Sequence, residues 1–200
     1  MVLLGSALVA TTVNAAGPKA GILPFDVVSV DNAPENMGTT VAKLVQIEMT
    51  KGQKLTPSML TTPEGASLPL PPDQAASVGK AAGVAVVLSG SVTDATNTTT
   101  SHSANTGGLI GSSVGASLNR TTAHVELHVD LIEVATAKVL DSFDVEGKAT
   151  EGGVGLDLSA TIGDLNKGGT SADTSPLGKA LRDAAKKVND ETAKRTSKLK

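Results

Sequence analysis

Val125, Leu127, Val129 and Leu131 alternate with His124, Glu126, His128 and Asp130. A period of two puts the apolar set on one face of a strand and the polar set on the other. This segment therefore has to lie in a sheet with one covered face. Before it, Val84–Val92 is a short, continuous apolar run, which suits a strand covered on both faces. After it, a turn near Ala135–Lys138 leads to a second amphipathic strand, Val139–Thr150, with Phe143 and Val145 on its apolar side. Three strands of one sheet are thus fixed, and the rest of the chain must supply the layers that cover it.

Upstream, Ala20–Val30 (AGILPFDVVSV) is apolar and β-branched, which predicts a mostly buried strand that Pro24 places near an edge or a bulge. Pro34 and Asn36 open a helix. Met37, Val41, Leu44, Val45 and Met49 recur at three- and four-residue intervals, so the helix should run over 37–51 with Gly52 as its stop. Gln53–Leu60 reads as a short strand interrupted by Pro57. A proline-rich loop then leads to a helix capped by Asp73 and ended by Gly83. Towards the C-terminus, Ser175 is a ready N-cap, Pro176 fits the first helical turn, and Leu177, Leu181, Ala184, Ala185 and Val188 form a buried stripe. The fold class is α/β, a mixed β-sheet with packed helices in the order β-α-β-α-β-β-β-α. Residues 16–195 are expected to form one domain with flexible insertions at 96–122 and 151–174, where Ser, Thr, Gly and Asp offer too little apolar area to order the chain.

Phe25 and Phe143 are the only aromatic residues, so the core has to be built from Val, Leu, Ile and Ala. The same scarcity removes stacking platforms for single-stranded nucleic acid and the aromatic girdles of an outer-membrane barrel. A net charge of −3 offers phosphate backbones no broad basic surface, and no nucleic acid partner is expected. Cations do gather from Lys179 onward, but Asp183, Asp190 and Glu191 are interspersed, as on a solvated helix face. The chain has no cysteine, which excludes disulfides, zinc–thiolate sites and thiol catalysis and leaves no residue for a lipoprotein-type anchor. Val2–Val13 is apolar and uncharged, and Val13-Asn14-Ala15 before Ala16 satisfies the small-x-small rule. A signal peptide over 1–15, cleaved after Ala15, is the expectation. That segment is shorter than the roughly 20 apolar residues that cross a bilayer, so no integral membrane segment is expected in the mature chain.

Motifs with chemical meaning are few. His124, Glu126, His128 and Asp130 share a strand face, where imidazole and carboxylate could collect a divalent ion. Successive members lie roughly 6.5–7 Å apart along a strand, and the reading adopted is the ordinary solvent face of an amphipathic strand. Gly111-Ser112-Ser113-Val114-Gly115 matches Gly-x-Ser-x-Gly but lacks the strand before and helix after that a nucleophile elbow needs. Asn97-Thr98-Thr99 and Asn119-Arg120-Thr121 are glycosylation sequons in a Thr-rich setting where they arise easily. No catalytic, cofactor-binding or metal residue is assigned.

Four pieces resemble, in order, the pattern of the CsgG-like curli-assembly family: GILPF at Gly21–Phe25, GVAVVLSGSV, LIEVATAKVLDS at Leu131–Ser142, and SPLGKALRDAAKKV. In that family the hairpin turn carries Thr-Gly, and here Ala137 stands where the glycine is usual. The resemblance implies a cell-envelope component and no enzyme. Curli CsgG itself resembles a lipidated oligomer whose two hairpins form an outer-membrane pore. The tracts 96–122 and 151–174 occupy the corresponding places here but lack the alternation over about 9–11 residues and the aromatic belts of a pore wall. The expectation is a non-enzymatic scaffold, periplasmic or secreted and associated with the outer membrane. It would bind protein partners of the envelope, form a homo-oligomer, and assist export or attachment of extracellular fibres or polysaccharide. The alternative is a binding module regulating an envelope enzyme such as a peptidoglycan synthase.

Overall fold

The computed structural model describes residues 18–104, 116–152, 158–167 and 175–197. The signal-peptide expectation for 1–15 and the Gly111–Gly115 motif lie outside them. The elements are β1 (Lys19–Ile22), β2 (Asp26–Val27), α1 (Met37–Gly52), β3 (Thr56–Met59), α2 (Pro72–Ala81), β4 (Val86–Ala104), β5 (Ala116–Glu133), β6 (Lys138–Gly152), α3 (Leu158–Asn166) and α4 (Pro176–Thr196). They form a six-stranded mixed sheet of order β3-β1-β4-β5-β6, with β2 also paired to β4. β3, β1 and β4 run parallel, and β4, β5 and β6 are antiparallel.

The crossover β1-α1-β3 steps to one side of β1, and β3-α2-β4 steps back past it to the other. Right-handed crossovers of opposite direction place their helices on opposite faces of the sheet. Accordingly α1 joins α4 over one face, where Phe25, Val41, Val45, Leu88, Leu127, Leu131 and Leu181 meet in the main core. On the other face Ala75 and Ala76 of α2 pack with Leu23, Leu60, Leu70, Val87 and Ile132 in a smaller cluster. Burial along β5 from Thr121 to Asp130 alternates without a break, as the period-two pattern requires.

Several expectations need correction. Pro24 does not lie inside a single strand. It divides the predicted first strand into β1, which is interior and pairs with both β3 and β4, and β2, which pairs with β4 alone. Pro57 is tolerated because β3 is the edge strand. Thr56 and Leu60 point their N–H groups at β1, so the alternation leaves position 57 facing outward, where a missing N–H costs nothing. Gly52 lies within α1, and the left-handed cap is Gln53 (φ 55°), whose N–H donates to Met49 O at 3.2 Å. Asp73 lies in the first turn of α2, whose cap position is Pro71. Ser175 and Pro176 begin α4 as expected, with Gly178 N–H donating to Ser175 Oγ at 3.0 Å.

The larger difference concerns the insertions. β4 and β5 remain paired from Val86↔Glu133 out to Ala104↔Ala116, so 96–104 and 116–122 belong to one ladder. The low apolar content had implied flexibility, but two adjacent strands satisfy each other's backbone whatever their side chains, and Thr favours strands. Hydroxyl pairs add to this: Thr99 and Thr121 lie 3.0 Å apart, and Thr122 and Thr150 3.3 Å. In the second insertion β6 continues to Gly152, and Leu158–Asn166 forms α3, with Ile162 buried in the main core.

Candidate functional site

α4 and α1 cover one face of the antiparallel half of the sheet, and α2 reaches only as far as Ile132 on the other. The rest of that second face is polar. β5 contributes His124, Glu126, His128 and Asp130. β6 runs antiparallel beside it and brings Ser142, Asp144, Glu146 and Lys148 to the same side. On β4 the register shift between Val92 and Asp94 changes which residues face which way, and it turns Asp94 to this face opposite Glu126.

The result is a row of carboxylates across three strands. Asp94, Glu126 and Glu146 stand opposite one another on β4, β5 and β6. Like charges directly across a ladder repel, and the cations lie in the next row, where His124 is opposite Lys148. His124 bridges the row: its Nδ1 is 2.7 Å from Asp94 Oδ2, its Nε2 meets Glu146, and Glu126 Oε1 is 3.7 Å from the same Nε2. Both ring nitrogens face carboxylate oxygens, which only the doubly protonated ring can satisfy as a donor. Burial opposes that charge, but the hydrogen bonds that the ring donates to Asp94 and Glu146 outweigh it and raise the His124 pKa. Lys148 pairs with Glu146 and, together with His124, holds that carboxyl below its ordinary range despite some desolvation.

A second cluster lies further along the strands. His128 Nδ1 is 2.7 Å from Asp144, its Nε2 is 3.5 Å from Asp130, and Ser142 Oγ donates to Asp130. The Asp144 hydrogen bond is the main cause of a raised His128 pKa. The four residues read as one stripe therefore fall into two groups, each completed from a neighbouring strand. Asp94 and Glu146 were not among the residues singled out from sequence. Counting back from the β5–β6 turn would place Val145 opposite Glu126, and it is a register shift between Leu131 and Ile132 that brings Glu146 there. The bulge that turns Asp94 leaves no local signature.

Most cations of α4 are paired, as suits a solvated face. Lys187 lies 2.8 Å from Asp183, Lys194 2.6 Å from Glu191, and Arg195 reaches both Asp141 at 2.6 Å and Glu191. Arg195 also stacks over the Phe143 ring, 4.2 Å from its centre. The β5–β6 turn holds Ala137 at φ 55°, the left-handed conformation that glycine adopts more easily. Of the glycosylation sequons, Asn97-Thr98-Thr99 lies on β4 and Asn119-Arg120-Thr121 on β5, both inside the ladder.

Residues 50–198 match the family described as curli production assembly/transport component CsgG. Curated proteins provide no match. Among solved structures, the hypothetical protein CT253 from Chlamydia trachomatis shares the fold, with a TM-score of 0.58 and 10% identity over 89% of this chain and 96% of that one. A PelC dodecamer from Paraburkholderia phytofirmans gives a TM-score of 0.45 with 14% identity over 87% of this chain and 86% of that one. Protein XCC0632 from Xanthomonas campestris gives 0.47 with 10% identity over 91% and 87%. With three quarters of its length inside the family match, this chain belongs to the CsgG family, and its role is one of assembly or secretion at the cell envelope.

Proposed function

We propose that the protein is a non-enzymatic scaffold on the periplasmic side of the envelope, associated with the outer membrane, that assists export or attachment of extracellular fibres or polysaccharide. The family match over 50–198 is the observation that carries this reading. The two edges of the antiparallel half of the sheet support it. β4 is paired to β1 and β2 only as far as Val92, so among the described residues no strand lies beside its outer edge from Thr93 to Ala104. At the other side α4 guards β6: Lys187 Nζ donates to Glu146 O at 2.7 Å, and Lys148 N–H donates to Asp183 at 3.4 Å. One edge open and one guarded suits addition of a strand from an envelope partner or a second copy. Among the described residues no helix is long and apolar enough to cross a membrane.

Two measurements test this. The mass of the purified mature protein in solution should exceed that of one chain, and a clean monomer at high concentration removes the homo-oligomer. Pull-down from an envelope fraction should recover components of fibre or polysaccharide export. Recovery of peptidoglycan synthases in their place would transfer the protein to the regulatory reading.

A further inference from the structure

We propose that His124, Glu126 and Glu146 bind one divalent first-row transition ion, with Asp94 as the positioning residue that holds the imidazole. His124 Nε2 and one carboxylate oxygen from each glutamate lie within 4.8 Å of one another. Zinc–nitrogen and zinc–oxygen bonds are about 2.0–2.2 Å, so ligand atoms around a tetrahedral ion sit about 3.3 Å apart. The 3.7 Å between Nε2 and Glu126 is close to that spacing already. Both glutamates are on the solvent side, with side chains 50% and 44% exposed, and have room to adjust.

Two observations separate this cluster from an ordinary group of surface acids. Asp94 holds Nδ1 at 2.7 Å and so fixes the tautomer that presents Nε2 to the ion, the carboxylate–histidine–metal arrangement. Glu126 stands in register between two other carboxylates, and among the described residues its one ion pair is with the imidazole, at 3.7 Å. A dication in place of the Nε2 proton relieves the repulsion along that row. Binding releases that proton, and Lys148, which pairs with Glu146, is the cation it displaces. The imidazole nitrogen in the donor set favours a first-row transition ion over magnesium and calcium, which take oxygen ligands. Ligands from β5 and β6 with support from β4 would tie three strands together where the long β4–β5 ladder leaves the core.

The test uses untagged, metal-stripped protein titrated with zinc at neutral pH. Calorimetry should show one equivalent bound. At a hundredfold excess over Kd the melting temperature should rise by about 5–10 °C, and the same concentration of magnesium should leave it unchanged. His124→Ala should abolish binding. Glu126→Gln, an exposed change that leaves the fold intact, should weaken it at least tenfold, and Asp94→Asn should weaken it about 10–100-fold. His128→Ala should leave it as it is. Absence of saturable zinc binding, binding that survives His124→Ala or Glu126→Gln, or an equal response to magnesium would each overturn the proposal.

Discussion

Gly147 and Gly163 invite the same substitution and should answer it with opposite signs. By backbone propensity alone, Gly→Ala within a regular element gains about 0.5–1 kcal/mol. At Gly163, inside α3, a Cβ would meet no heavy atom within 4 Å, and that gain should appear in full. At Gly147 on β6 a Cβ would stand 2.0 Å from Ala180 O, 2.8 Å from Ala184 N and 2.9 Å from Ala184 Cβ. All three atoms belong to α4, and two are backbone, so no rotamer change clears them. The helix would have to lift by about 1 Å, against the buried Leu177, Leu181 and Val188 that anchor it. Overpacking costs typically 1–3 kcal/mol, and a backbone obstacle puts Gly147→Ala at the upper end, about 3 kcal/mol. For a chain of this length that lowers Tm by roughly 6–12 °C. With no Trp or Tyr present, urea unfolding is followed by far-UV circular dichroism. If Gly147→Ala proves as stable as Gly163→Ala, or as the wild type, α4 does not sit on β6 as described.

Three further outcomes follow from single contacts. Ser175→Ala removes the side-chain cap of α4 and should cost about 1 kcal/mol in urea unfolding, whereas an unchanged midpoint refutes the cap. Arg195→Ala loses Asp141, Glu191 and the Phe143 ring together, and should cost about 1–2 kcal/mol; Arg195→Lys should restore less than half, because an ammonium cannot fork between two carboxylates while lying flat on a ring. His128 has a raised folded pKa, chiefly through Asp144. Its contribution to stability is therefore complete below the unfolded value of about 6.5 and is lost as pH rises through the folded value. In metal-free buffer the stability difference between wild type and His128→Gln should be larger at pH 6 than at pH 8.5, and an equal difference at both counts against the ion pairs.

Elements that carry a periodic face were legible in the chain. The alternation at Val125–Leu131, the spacing of Met37–Met49 and the stripe of α4 each bury the face the pattern names, because that exposure pattern is a property of one element and its own period. The pairing of 96–104 with 116–122 was not legible, for the converse reason. Order in 96–104 and 116–122 comes from mutual backbone pairing, which a Ser/Thr-rich sequence neither announces nor forbids. The sidechain clusters fall between these cases. His124 and Glu126 were visible as strand neighbours. What joins His124 to Glu146 is a hairpin register shifted at Leu131/Ile132, and what joins it to Asp94 is a second shift, at Val92/Asp94 on the other neighbouring strand.

By itself the sequence determined the mixed α/β class, the two amphipathic strands and the buried strand before them, the terminal helix with its Ser-Pro start and the family to which the chain belongs, since each depends on residues close together in the chain or on their order along it. Only the tertiary structure decided that the His124 stripe divides into two cross-strand clusters, that β4 leaves one edge open while α4 guards the other, and that Gly147 must remain glycine. Those outcomes depend on which strand lies beside which and in what register. Neighbouring strands stand about 4.8 Å apart, closer than the same-face residues along a single strand, so the partners that decide the chemistry come from segments that local spacing does not reach.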